Sequence, residues 1–297
     1  MQELLSHMIN VIGPVLLCAL VGYLLALGKA EFSTRVVGTL VSKVGYPALV
    51  ISHLSAQHVA FLSFVEFMGA AVIAVALFGL IGYVFLRLVG LPYQAFLSPM
   101  MMNNVGNIGL PVCLLAFGNE GLSYALGYVV VVLVAIFTIG IALPSGSFSL
   151  KRLLSQPVIY SVPIALYLMG TETKLPEMLD QTVSILGGFA IPLMLITLGY
   201  TLATLNIGSI WRGAYLALFH AAMAACVALV LVALFGFTGT ERGVFILQCM
   251  APVSVATYLW ITIYQEDHAA DVAGMILVST LLTIIVLPLV LTFWIQA

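Results

Sequence analysis

Asn103-Asn104-Val105-Gly106-Asn107-Ile108-Gly109-Leu110-Pro111 places three carboxamides, two glycines and a proline inside an apolar segment. Lipid provides no water for backbone groups that a helix break leaves open, so such a break is tolerated only where it is buried in protein or lines a wet cavity. Asn side chains can both donate and accept hydrogen bonds there. The pattern therefore indicates a solute site inside a membrane protein.

The composition predicts that lipid is the solvent for most of the chain. Hydrophobic residues make up 63% of the 297 residues and charged residues 7%, whereas a soluble domain carries about 25% charged residues. No basic tract suggests nucleic acid as a partner. The four cysteines all lie in apolar segments and indicate buried side chains rather than a disulfide framework or a metal site, so no cofactor is predicted.

Apolar runs of spanning length predict an all-α polytopic membrane protein. We expect ten transmembrane segments, at residues 8–28, 36–56, 62–86, 94–117, 121–143, 156–170, 178–204, 211–235, 242–264 and 271–295. Helices are favoured over the strands of a barrel because the runs are long and their hydrophobicity does not alternate.

The distribution of Lys and Arg predicts the orientation. Six basic residues lie at the loops that follow segments one, three, five and seven: Lys29, Arg35, Arg87, Lys151, Arg152 and Arg212. The loops that follow the even segments hold two, Lys174 and Arg242. By the positive-inside rule the first set of loops is cytoplasmic, so both termini are expected outside the cell (inner) membrane.

The prolines indicate an internal repeat. Eight of the twelve form four pairs separated by 149, 145, 141 and 144 residues, namely Pro14 with Pro163, Pro47 with Pro192, Pro111 with Pro252, and Pro144 with Pro288. Five segments per half is an odd number, so the halves at 1–143 and 156–297, joined by a short cytoplasmic connection at 144–155, would insert with opposite orientation. Chance is the alternative, because proline is common in membrane helices.

In an inverted repeat the interrupted helices of the two halves mark the binding site. Segment nine contains the matching break, at Gln248-Cys249-Met250-Ala251-Pro252-Val253-Ser254-Val255-Ala256-Thr257. We expect Pro111 and Pro252 each to open a second half-helix, whose positive N-terminal end would favour an anion. The predicted solute-binding residues are Asn103, Asn104, Gly106, Asn107, Pro111, Pro252, Ser254 and Thr257. For the amides, hydrogen bonding between helices is the alternative.

Three further residues are candidates for ion coupling or for the electrostatic field. Gln248 lies beside the break in segment nine, His220 is central in segment eight, and Lys43 lies in segment two. The alternatives are a structural hydrogen bond for His220 and, for Lys43, a side chain that reaches the headgroups. No Asp or Glu lies in the middle of a segment, although buried carboxylates are the usual proton relays.

The run from Asn104 to Pro111 resembles the Asn-x-Gly-x-x-Gly-x-Pro signature of the auxin efflux carrier (PIN-like) family. Five other stretches are also similar to the family's patterns: Tyr46-Pro47-Ala48-Leu49, Pro192-Leu193-Met194, Leu198-Gly199, Met250-Ala251-Pro252 and Tyr258-Leu259-Trp260. The short connection between the halves indicates a bacterial-type member.

The resemblance implies ten helices in two inverted halves, with broken helices four and nine crossing at mid-membrane. It implies a scaffold of helices 1, 2, 6 and 7 and a transport domain of helices 3–5 and 8–10 that moves like an elevator. Asn104, Pro111 and Pro252 would then line the solute site. Bacterial members generally carry organic anions such as malate and malonate.

The leading functional hypothesis is therefore a secondary transporter of small organic anions, which are mono- or dicarboxylates or auxin-like acids. The alternative is a sodium-coupled symporter of the bile-acid type. An enzyme is not expected, because no Gly-x-Ser-x-Gly or His-Glu-x-x-His motif occurs. The predicted partners are the organic anion and the bilayer, with a homodimer left open.

Overall fold

A computed structural model describes residues 2–56 and 59–293, with side chains described for residues 10–56 and 59–291. Seven of its helices are long and apolar enough to cross a membrane: Asn10–Leu27, Thr34–Ser55, Phe61–Leu88, Val105–Ser145, Glu177–Thr204, Ile210–Phe235 and Glu266–Leu291. Two shorter apolar helices are Val158–Gly170 and Val255–Tyr264. The chain is thus an all-helical, multi-pass membrane protein, as its composition predicted.

The first half consists of seven α-helices: α1 (Gln2–Leu27), α2 (Thr34–Leu40), α3 (Tyr46–Ser55), α4 (Phe61–Leu88), α5 (Tyr93–Met101), α6 (Leu110–Ala135) and α7 (Ile141–Ser145). π-helical turns precede α3, α6 and α7, at Val41–Gly45, Val105–Gly109 and Ile136–Gly140. The connection between the halves contains the short helix α8 (Leu150–Leu154).

The second half consists of α9 (Val158–Gly170), α10 (Glu177–Gly188), α11 (Ala190–Thr204), α12 (Ile210–Phe235), α13 (Gly239–Cys249), α14 (Val255–Tyr264) and α15 (Glu266–Phe293). Residues 294–297 of the predicted second half lie outside the described residues. Helical structure occurs in each of the ten predicted segments, but ten complete spans stay a prediction, since seven helices meet the length and composition required to cross.

Segments four and five differ from a simple pair of spans. Helical structure is absent at residues 102–104, within segment four, and resumes in a run that continues to Ser145. Gly118 interrupts this run with φ 63° and ψ −151°, a conformation that glycine adopts without a steric penalty. The chain turns there, close to the predicted boundary between the two segments.

The half-helices match the expected prolines only in part: Pro111 lies in the first turn of α6 but follows a π-helical turn, and Pro252 lies before the start of α14. Helical structure resumes at Val105, six residues before Pro111, and at Val255, three residues after Pro252. Proline lacks the N–H that a continuing helix requires, and Pro111 follows a π-helical turn, as Pro47 does at the start of α3. A widened turn before Gly-x-Pro rearranges the local hydrogen bonds, so the helix passes through the proline.

The helices pack in two groups. In the first, α1 lies along α11 and α3 lies against α9 and α10. In the second, α12 lies against α15 and α4, and α6 lies against α4 and α13. The contact of α1 with α11 joins segments one and seven, and that of α3 with α9 joins segments two and six. The 5+5 repeat would pair these two contacts, and it stays a prediction.

Contacts between loops show which connections share one end of the bundle. Arg212 forms an ion pair with Asp271, and Gln265 Nε2 donates to the carbonyl oxygen of Pro144 at 2.9 Å. The Tyr200 hydroxyl donates to the carbonyl oxygen of Ala30 at 3.4 Å. The loops after segments one, five, seven and nine therefore meet at one end. In a separate contact, the Tyr124 hydroxyl donates to Glu241 at 2.6 Å and so links the regions that follow segments four and eight.

Candidate functional site

The two interruptions, at residues 102–104 and 250–254, pair with each other; we call this paired region the junction. The backbone N–H of Asn104 donates to the Pro252 carbonyl at 2.6 Å, and that of Ser254 donates to the Met102 carbonyl at 2.9 Å. They form an antiparallel bridge between Asn103 and Val253. Each interruption thus satisfies backbone groups that the other has lost, which a lipid environment demands.

Asn103 fastens the junction to two further helices. Its Nδ2 donates to the carbonyl oxygens of Gln248, at 3.2 Å, and Cys249, at 2.5 Å, at the C-terminal end of α13. Its Oδ1 lies 3.0 Å from Nε2 of His220 on α12. Asn103 and His220 are both 2% exposed, so these bonds are made away from water.

The junction also contacts α15 through a residue that the sequence reasoning did not select. The Ser279 hydroxyl accepts from the backbone N–H of Val253 at 3.2 Å and donates to the Ile276 carbonyl at 3.0 Å. Ser279, Thr280 and Thr283 are the polar residues in the apolar stretch 272–291 of α15. That local cluster is the signal by which Ser279 could have been found.

Two carboxamides at the junction have buried atoms without a partner. Nδ2 of Asn104, and Nε2 and Oε1 of Gln248, have no hydrogen-bond partner among the residues that the structure describes. Gln248 is fully buried and Asn104 is 4% exposed. A buried polar group without a partner costs about 1–3 kcal/mol, so these atoms mark the place where a polar ligand or water has most to gain.

Two glycines allow the close approach of neighbouring side chains. A β-carbon on Gly109 would lie 2.1 Å from Oε1 of Gln248, and one on Gly106 would lie 2.0 Å from the hydroxyl oxygen of Tyr46. Gly109 therefore makes room for the unpartnered amide of Gln248. Tyr46 belongs to α3, so Gly106 lies where the junction meets the first helix group.

The remaining predicted residues differ in their surroundings. Pro111, Pro252, Ser254 and Thr257 are buried, and Asn107 is partly exposed. Thr257 donates to the Ser254 carbonyl at 2.8 Å within the first turn of α14. Lys43 is exposed in the π-helical turn before α3, so the structure does not bring it into the buried junction.

An apolar cleft of about 370 Å³ separates part of the two helix groups. Ile12, Val15 and Leu198 line it from α1 and α11, while Val112 and Leu287 line it from α6 and α15. Ile108, in the π-helical turn that follows the junction, also lines the cleft. The cleft therefore lies between the first group and a helix that carries the break in segment four.

The junction is chemically a site rich in donors. The unpartnered amide nitrogen of Asn104 adjoins Val105, where helical structure resumes, and that of Gln248 belongs to the side chain that lies against Gly109. Helix N-termini carry about half a positive charge with free N–H groups. Groups of three or more His, Cys, Asp or Glu side chains that could hold a metal ion do not occur in the described part of the chain. Such an arrangement suits hydrogen bonding to a small polar or anionic molecule.

Apolar helices around a buried polar junction define a multi-pass membrane protein of the transporter class. The family model described as "Membrane transport protein" matches residues 142–291, about half of the chain. The chain belongs to this family, the auxin efflux carrier family that its Asn-to-Pro motif indicated, and is a member of the bacterial or archaeal type.

Two archaeal proteins are similar to the chain. An uncharacterized transporter of Methanothermobacter thermautotrophicus is 27% identical over 295 residues, which cover 93% of this chain and 94% of the relative. An uncharacterized transporter of Methanocaldococcus jannaschii is 26% identical over 200 residues, 64% of each protein. The chain thus matches slightly less than two thirds of the second relative's length.

Proposed function

We propose that the chain is a secondary transporter of small organic anions and that the junction is its solute site. In this proposal ten helices form a 5+5 inverted repeat with both termini outside the cell membrane. The breaks in segments four and nine cross at mid-membrane. Mono- and dicarboxylates, auxin-like acids included, are the proposed solutes.

The observation that carries the proposal is the surplus of donors at the junction. Asn104 and Gln248 hold amide N–H groups without a partner among the described residues, and two helical segments begin directly after the paired backbone. A carboxylate accepts up to about four hydrogen bonds and gains from the positive ends of helices. Asn104 and Gln248 contact the solute in this proposal, and Gly106, Asn107, Pro111, Pro252, Ser254 and Thr257 shape the site.

An elevator-type movement fits the packing of the helices. The first group corresponds to the proposed scaffold of segments one, two, six and seven, and the second to the proposed transport domain. The junction contacts α12, α13 and α15 through hydrogen bonds, all within the second group. The junction would therefore travel with that group while the first group stays fixed in the bilayer.

Uptake into proteoliposomes tests the proposal. Radiolabelled malonate, malate and indole-3-acetate are offered to the wild type, to Asn104→Ala, and to Asn119→Ala as a control, because Asn119 is exposed. We expect saturable uptake of at least one acid, a loss of about tenfold or more in Asn104→Ala, and normal uptake in the control. Equal uptake by all three proteins would remove the proposed site, and uptake that requires sodium would favour the symporter alternative.

A further inference from the structure

The hydrogen bonds of Asn103 fix the role of His220. Nδ2 of Asn103 faces two backbone carbonyl oxygens, at 3.2 and 2.5 Å. Carbonyl oxygens only accept, so the amide nitrogen must point toward them and Oδ1 must point toward His220. Oδ1 also only accepts. Nε2 of His220, 3.0 Å away, therefore carries a proton and donates.

The described neighbours of His220 provide no charge that would pair with an imidazolium. Phe78 of α4 stacks near the ring, with centroids 6.3 Å apart and an interplanar angle of 27°. A void of about 10 Å³ beside His220 is lined by Met250, Pro252 and, on α15, Ser279, Leu282, Thr283 and Val286, with Ala217 and Ala221 from its own helix. Together with Asn103 these neighbours are all uncharged, and burying an unpaired charge is strongly unfavourable.

We propose that His220 is a positioning residue: a neutral imidazole, protonated at Nε2, that holds Asn103 and through it the end of α13. This chain of bonds joins segment eight to both interruptions and fixes their register. His220 was a candidate coupling residue in the sequence; here it orders the site instead. The inference rests on the proposed transport function only for its effect on uptake.

Thermal unfolding of the purified protein, without solute, tests the bond itself. His220→Leu and Asn103→Leu should each lower the midpoint by about 5 °C, and the double variant should fall no further than the worse single variant, because both remove one network. His220→Gln, which keeps a donor, should stay within about 2 °C of the wild type. Met223→Leu is the control, a buried residue on the same helix without a polar atom. Additive losses, or a His220→Gln variant as unstable as His220→Leu, would overturn the proposal.

Uptake of the acid that the wild type carries separates positioning from coupling. Rates are measured at outside pH 5.5 and 7.5 with the inside held at about pH 7.5. His220→Gln should keep the ratio of the two rates, whereas His220→Leu should lose about tenfold at both values. The ratio of the two uptake rates could instead fall to one in His220→Gln while the unfolding midpoint of that variant stays that of the wild type. This result would make His220 a proton-coupling group and would contradict its role as a positioning residue. Wild-type protein that takes up no acid would defeat the proposed function, but the unfolding comparison would still decide the role of His220.

Discussion

Backbone approaches backbone closely at two places in the molecule, the contact between α1 and α11 and the junction. Glycines make the first approach possible, whereas hydrogen bonds make the second. Between α1 and α11, a β-carbon on Gly22 would lie 1.9 Å from the Ile196 carbonyl oxygen and one on Gly199 would lie 1.7 Å from that of Ala19. Small residues let membrane helices approach and gain van der Waals contact. At the junction the contact is made by hydrogen bonds, and three buried polar atoms are left over.

This difference separates stability from function. The close approach of α1 and α11 is made by Gly22, Gly199 and the facing backbone atoms rather than by carboxamides, so changes there should act on folding. At the junction the amides of Asn104 and Gln248 cost stability and have unpartnered atoms among the described residues, so changes to these two residues should act on solute binding. Polar groups retained at such a cost inside a membrane protein are expected to be functional.

The largest expected effect is that of Gly199→Ala. The added β-carbon would collide with the Ala19 backbone, which cannot rotate away as a side chain can. We expect the free energy of unfolding to fall by about 3 kcal/mol, seen as a much lower thermal midpoint. Gly69→Ala on α4, where no atom lies within 4 Å of the new carbon, should be at least as stable as the wild type. Equal behaviour of the two variants would refute the close approach of α1 and α11.

Gln248→Met should lower uptake without lowering stability, in contrast to Gly199→Ala. The substitution removes two unpartnered polar atoms from a fully buried side chain while it keeps the length of the chain, so stability should be unchanged or rise by about 1 kcal/mol. Uptake should fall by about tenfold, because the proposed solute loses a donor. A variant that is more stable and transports normally would exclude Gln248 from the site.

Thr257→Val should have a smaller effect on uptake. Its hydroxyl already donates to the Ser254 carbonyl at 2.8 Å, so the substitution chiefly removes a bond inside the first turn of α14. We expect uptake to fall by about threefold, which corresponds to roughly 0.65 kcal/mol. A loss as large as that of Asn104→Ala would show that the hydroxyl contacts the solute directly.

Arg212→Gln should have the smallest effect of these substitutions on the unfolding midpoint. Arg212 pairs with Asp271, but its side chain is 42% exposed, and exposed ion pairs contribute about 0–1 kcal/mol. The difference in unfolding midpoint between this variant and the wild type should shrink further in high salt. A loss larger than that of His220→Leu would show that this end of the bundle, rather than the junction, holds α12 and α15 together.

The sequence predicted an all-helical membrane protein, because hydrophobic runs are local signals. It predicted breaks in segments four and nine, and helical structure is absent at residues 102–104 and 250–254 within them; broken helices that cross at mid-membrane stay a prediction. It placed the new helix starts at Pro111 and Pro252, whereas helical structure resumes at Val105 and Val255. The hydrogen bonding of a π-helical turn depends on the whole neighbourhood of a proline. Local pattern does not reveal it.

The sequence indicated which amides lie at the break in segment four, but it did not indicate which of them are hydrogen-bonded within the protein and which are not. Asn103 and Asn104 are adjacent and chemically identical, yet the first makes three bonds within the protein and the second has an unpartnered nitrogen. That distinction depends on contacts with α12 and α13, more than 100 residues away in the chain. The contact of Ser279 with the junction is non-local too, since its bond to Val253 joins α15 to the second interruption, 26 residues away.

A thermal-shift titration of wild type and Asn104→Ala with organic acids tests most directly whether a carboxylate binds at the junction. A ligand that binds the folded state alone raises the unfolding midpoint, and more so as its concentration exceeds the dissociation constant. We predict that at least one carboxylate raises the midpoint of the wild type by several degrees and leaves that of Asn104→Ala unchanged. An equal rise in both proteins would place the solute elsewhere and contradict the account.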